Sequence, residues 1–235
     1  MAKRHYMKSM LTLLAGGILV FLGLAFTHPP RPANEAPAST SLDFETVRFR
    51  KESAGCAKDA NHCARVIAVY PKAVDGPPAT VQMINDSIFH HVRYGLSVFA
   101  TSEDKVFDDL SAIADRFIAD YEAFAKEQEE DYRVGWSIEM KGKVLYQSDQ
   151  IVSIALDNFS YTGGAHPNAY KTLLNFDLVQ QRPLQLADLI ADWSGFKKLT
   201  ESYFREYHQL RSSTDLNEAG FFWDKSFYLL ANFAV

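Results

Sequence analysis

Tyr161, Thr162, Gly163, Gly164, Ala165, His166, Pro167 and Asn168 stand between two stretches in which apolar and polar residues alternate. Upstream, Val152, Ile154 and Leu156 recur with period two; downstream, Tyr170, Thr172, Leu174, Phe176 and Leu178 do the same. Successive side chains of a strand point to opposite faces, so each stretch offers one apolar face to a core. The octapeptide then reads as the loop of a hairpin. Its glycines permit positive φ or close backbone approach, and Pro167 fixes the exit from the turn.

Working outward, Val47 and Phe49 alternate with Arg48 and Arg50 and predict a strand at 44–50, with a second at 65–70. The loop between them holds Cys56 and Cys63. Pro71, Gly76, Pro77 and Pro78 break the pattern, and Thr80 is expected to cap a short helix with the stripe Ile84, Ile88, His91 or Val92, and Leu96. The strongest helical stripe follows, in Leu110, Ile113, Ala114, Phe117, Ile118, Tyr121, Phe124 and Ala125. Thr101 and Asp104 are its expected start. Val134, Trp136, Ile138 and Met140 predict a half-buried strand, with a turn near Gly142 leading to 144–146.

Beyond the hairpin, 177–183 reads as a polar connection and 184–189 as a helical region capped near Asp188 or Ser194. Phe196, Leu199, Tyr203, Phe204, Tyr207 and Leu210 line one face of a further helix, and 225–235 reads as a strand. Hairpin-length connections between Arg133 and Leu178 favour antiparallel pairing. The whole is an α+β fold, a mainly antiparallel sheet packed against several helices, after an N-terminal apolar anchor helix.

That anchor is read from Lys3, Arg4 and Lys8 ahead of an unbroken apolar run at 11–26. Residues 1–27 form a signal anchor or a signal peptide, 28–43 a Pro-rich linker, and 44–235 the domain. The basic N-terminal flank keeps that end in the cytoplasm and places the rest outside, in a periplasmic or extracytoplasmic space. Two cysteines with six residues between them in an oxidising space most simply form a disulfide. A zinc site using His62 is the alternative, and it lacks a second Cys or His pair at ligand spacing. Of 24 basic and 29 acidic residues, four and one precede Ser39, leaving 20 against 28, a net of −8. An acidic domain argues against nucleic acid and anionic lipid as partners and suits a cationic one.

Chemistry is hard to place. Gly163 and Gly164 are not followed by the Lys and Ser/Thr of a phosphate loop, and no Gly-x-Ser-x-Gly elbow is present. His166 has Asp157 or Asp177 as conceivable carboxylate partners for hydrolysis, but a structural turn is the simpler reading. The acidic run Glu127, Glu129, Glu130 and Asp131 reads as a charged helix end. No cofactor or metal is expected. The weak binding candidates are Tyr161, Gly163, Gly164, His166 and Asn168.

Three stretches resemble a known family: Val66 to Tyr70 with Pro71 and the Ile84, Asn85 helix; Ile151 to Ile154 running into Tyr161–His166; and Leu174 to Leu178 with Leu184, Leu186, Asp188 and Leu189. Over about 44–235 they resemble the extracytoplasmic domain shared by RsiV-type anti-sigma factors and PdaC-type peptidoglycan deacetylases. The resemblance implies a non-catalytic envelope module that binds or senses lysozyme or a peptidoglycan fragment. An orphan envelope hydrolase and a purely structural envelope protein are the alternatives. Ten residues before Leu11 are too few for a sigma-factor-binding segment, and relatives of this kind continue further, which implies a C-terminal truncation and an open apolar edge.

Overall fold

The computed structural model describes residues 42–59, 61–99, 109–129, 133–221, 227–229 and 232–235. The expected anchor at 11–26, the linker up to 41 and the helix start at Thr101 and Asp104 lie outside them, as do Glu130 and Asp131.

Six strands follow one another across one sheet in chain order. They are β1 (Asp43–Glu52), β2 (Ala64–Asp75), β3 (Trp136–Gln147), β4 (Ile151–Tyr161), β5 (Asn168–Asp177) and β6 (Arg182–Pro183). All neighbours are antiparallel except β2 and β3. Between those two the chain crosses through α1 (Pro78–Ser97) and α2 (Leu110–Glu127), a connection that returns it in the same direction.

The hairpin has the register its alternation demands. Val152 faces Phe176, Ile154 faces Leu174, and Leu156 faces Thr172; Ser160 opposite Asn168 closes it around the octapeptide. Val152, Ile154, Leu156 and Phe176 are buried, together with Val66, Ala68, Ile138 and Met140 from β2 and β3. Against this face lie Ile84, Ile88, Val92 and Leu96 of α1 and Leu110, Ile113, Phe117 and Tyr121 of α2. Each such side chain contributes roughly 1.5–3 kcal/mol when removed from water. Gly95 lets α1 approach: a Cβ there would stand 2.9 Å from Asn158 Nδ2, which donates to the Gly95 carbonyl at 3.2 Å.

Several boundaries differ from the sequence reading. β2 continues past Pro71 to Asp75, and β3 runs straight through Gly142. The two departures explain each other. The pairing of β2 with β3 ends at Val69 opposite Lys141, so Pro71 forfeits no hydrogen bond to β3, and a Cβ on Gly142 would stand 2.8 Å from the Pro71 ring. Helix α1 has 20 residues rather than a short run; Thr80 is buried inside it, Pro77 is its cap, and the stripe passes through Val92 rather than His91. Asp109 caps α2 by accepting from the Ser111 N–H at 3.0 Å.

In the C-terminal part, Gln185 and Asp188 form a capping box on the short α3 (Leu186–Leu189), and Asp192 caps α4 (Trp193–Tyr207). The apolar stripe of α4 is not a buried face: Leu199, Tyr203 and Tyr207 are 54%, 64% and 83% exposed. This helix packs on the chain that follows it, with Phe204 against Phe221 and Phe227 and Arg205 donating to the carbonyls of Arg211 and Thr214. The strand expected at 225–235 is absent from its described residues, 227–229 and 232–235. The Asn232 amide instead bridges the Lys171 carbonyl and the Leu173 N–H on the outer edge of β5, and Asn175 donates to the Phe233 carbonyl. The open apolar edge expected of that terminal strand has no counterpart at residues 227–229 and 232–235, where no strand forms.

Candidate functional site

Strand polarity and register bring three loops to one end of the sheet. β1 ends there and β2 begins; Ala64 lies opposite Trp136, and Ser137 opposite Tyr161. The disulfide loop, residues 133–135 and the octapeptide are consequently neighbours, although about a hundred residues separate the first from the last.

Cys56 and Cys63 are joined. The closed loop is tied at its base by Ser53, whose N–H donates to the Ala64 carbonyl at 2.9 Å and whose Oγ accepts from the Ala64 N–H at 3.0 Å. At its tip, Asp59 accepts from the Asn61 N–H at 2.8 Å and faces His62 Nδ1 at 2.7 Å. The Asn61 amide, then His62, hold the Asp59 carboxyl below its ordinary range.

Two cavities flank this loop. One, of about 380 Å³, lies between the loop, Arg65, residues 133–137 and Tyr161. The other, of about 410 Å³, lies between the loop and the end of α2, where Tyr121, Glu122 and Lys126 line it. His62 and Arg133 border both. Burial pushes the Tyr121 hydroxyl up, with Asp59 adding to the effect and Arg133 opposing it.

Trp136 forms the floor between α2 and the octapeptide. Its ring meets those of Phe117, Tyr121 and Phe124 at centroid distances of 5.8, 5.7 and 5.2 Å. Its buried Nε1 has no hydrogen-bond partner among the described residues. Gly163, at φ +87°, sets the octapeptide backbone against this floor: a Cβ there would lie 2.7 Å from Val134 Cγ2 and 3.6 Å from Trp136 Nε1. Gly164 has no such requirement; the nearest atom to its Cβ position is the His166 carbonyl oxygen at 4.0 Å.

Of the residues singled out in the sequence, Tyr161 borders the 380 Å³ cavity and Gly163 shapes its surroundings. Gly164, His166 and Asn168 are exposed. The His166 ring contacts the Pro167 carbonyl at 3.2 Å. Asp157 pairs with Lys171, and Asp177 caps a turn at the opposite end of the hairpin by accepting from Val179 and Gln180. The geometry thus gives His166 neither carboxylate. Among the described residues no cluster of His, Cys, Asp or Glu is arranged to hold a metal.

A wider hollow of about 640 Å³ lies on the face of the sheet opposite α1 and α2, at Glu139, Lys141, Asp157, Phe159 and Lys171. Its charges satisfy one another, Lys141 with Glu139 and Lys171 with Asp157. The disulfide end has the more reactive inventory. Asp59, His62, Arg133 and Trp136 are the residues there that the sequence did not bring forward together. Their signals were the polar density beside the cysteines and an Arg just ahead of the β3 stripe.

Residues 58–169 match the protein-family model described as Deacetylase PdaC. Over these residues the chain is similar to that family. The match begins in the disulfide loop and ends one residue beyond Asn168, so it embraces nearly all of both cavities. The peptidoglycan-N-acetylmuramic acid deacetylase PdaC of Bacillus subtilis (strain 168) is 21% identical over 135 residues, 57% of this chain and 28% of that protein. The chain thus spans less than a third of that relative's length. A crystal structure of a DUF3298 family member from Bacteroides fragilis has the same fold, with a TM-score of 0.58 at 16% identity, covering 77% of this chain and 75% of the other. A DUF3298 family protein from Pseudomonas aeruginosa gives a TM-score of 0.48 at 23% identity, over 77% and 74% of the two chains.

Proposed function

We propose that this chain is a binding or sensing module of the bacterial envelope, held outside the cytoplasm by an anchor at 11–26, with a peptidoglycan fragment as its ligand. The observation that carries the reading is the coincidence of the PdaC-type segment, 58–169, with the two cavities at the disulfide end. The relative of 21% identity is named for action on peptidoglycan. A disulfide-closed loop fits an oxidising compartment. Binding rather than hydrolysis is favoured because His166 contacts a carbonyl, while Asp157 and Asp177 are engaged elsewhere.

Lysozyme is a second reading, favoured by the net charge of −8 after Ala38, which would speed encounter with a basic protein. Titrating the full chain with soluble muropeptides, and separately with lysozyme at low and high salt, tests both. The proposal expects saturable muropeptide binding with no change in the mass of the muropeptide. Failure to bind any muropeptide, with salt-resistant binding of lysozyme, would replace the first reading by the second.

A further inference from the structure

We infer that the paired cavities at the disulfide end bind a carboxylate carried by the ligand, with Arg133 as the cation that meets it. The inference rests on the peptidoglycan reading above and narrows it to the acidic groups of that polymer.

Charge is the first observation. The part of the chain after Ala38 is strongly acidic, yet the walls of these cavities carry Lys58, Arg65, Lys126 and Arg133 against Asp59 and Glu122. Asp59 is turned toward His62, and Arg65 lies 3.8 Å from Glu52. An excess of positive charge thus gathers in concave surface on a molecule of the opposite sign, and a concave basic surface concentrates anions.

Arg133 is the second observation. It borders both cavities, and its Nε donates to the Gln128 carbonyl at 3.3 Å, which fixes the side chain by one nitrogen. Among the described residues no carboxylate lies within ion-pair distance of it. A guanidinium is a planar fork that matches a carboxylate with two parallel hydrogen bonds. Volume and lining agree: about 380 and 410 Å³ lie within the range of small-ligand pockets, and Tyr161 and Trp136 give one of them an aromatic wall. A basic protein is disfavoured here by like charge, so the site separates the two ligand readings.

The test compares two probes on the full chain by calorimetric titration: an N-acetylmuramoyl dipeptide with its free carboxylate, and the same molecule amidated there. The expected result is at least tenfold weaker binding of the amidated probe. Arg133→Gln should weaken the acid probe about tenfold and leave the amidated one unchanged, with Arg133→Lys recovering part of the loss. Thermal melts establish that each variant folds; should Arg133→Gln fail to, the two-probe comparison and Lys58→Gln decide. Equal binding of both probes, unaffected by Arg133→Gln, overturns the carboxylate site and leaves the peptidoglycan reading standing. No binding of either overturns both.

Discussion

Replacing Gly163 by alanine perturbs the octapeptide at the position where its backbone is least free. At φ +87° an L-residue is held in a sparsely populated region, which costs about 1–3 kcal/mol. The new Cβ would also stand 2.7 Å from Val134 Cγ2, closer than carbon atoms pack, so Val134 or the loop must shift. Together these place the loss at about 2–3 kcal/mol, and for a domain of this size each kcal/mol lowers the melting temperature by about 2–4 °C. The expected fall is therefore about 4–12 °C. Gly164→Ala is the internal control: its Cβ meets nothing nearer than 4.0 Å, so stability should change by no more than about 0.5 kcal/mol. Both are read by calorimetric melts, with tryptophan fluorescence reporting on Trp136. Equal melts for wild type and Gly163→Ala, or a larger loss for Gly164→Ala, would refute the assignment of the strained position.

Gly95→Ala should lower stability by about 1–2 kcal/mol in a denaturant titration, although Gly→Ala in an open helix usually gains about 1 kcal/mol, because its Cβ would crowd Asn158 and Met140. Removing the disulfide by Cys56→Ala with Cys63→Ala should cost about 2–3 kcal/mol by loop-closure entropy, and mass spectrometry after alkylation without reductant should find neither thiol free. Burial, then His90, holds the His91 imidazole below its ordinary value of 6.5, so the unfolded chain takes up that proton first as the medium turns acid. Stability should accordingly be constant above pH 6.5 with respect to this group and fall below it, and His91→Gln should flatten that part of the melting curve against pH.

What could be read in the sequence was set by local regularity. Val152, Ile154, Leu156 and their partners Leu174 and Phe176 lie on one face of the sheet, so alternation alone yields the hairpin. The α2 stripe likewise survives intact in Leu110, Ile113, Phe117 and Tyr121. Pro71 and Gly142 misled because each carries a local signal for a break, while their actual role is mutual accommodation between strands about seventy residues apart. The α4 stripe misled in the other direction: its period is helical, but Leu199, Tyr203 and Tyr207 face outward because the helix packs on Arg211, Thr214, Phe221 and Phe227 through Phe204 and Arg205. In the site, Tyr161 and Gly163 announced themselves through the octapeptide. Arg133 and Asp59 did not, and His62 was read only as the ligand of an alternative zinc site, since only the parallel pairing of β2 with β3 brings the disulfide loop beside residues 133–135.

The central claim, binding of cell-wall material without chemistry, is tested most directly by co-sedimentation of the full chain with purified peptidoglycan sacculi, followed by mass analysis of the recovered glycan. The account predicts saturable retention of the protein in the pellet and glycan of unchanged mass. Protein that stays in the supernatant, or glycan that has lost acetyl groups or been cleaved, would contradict it.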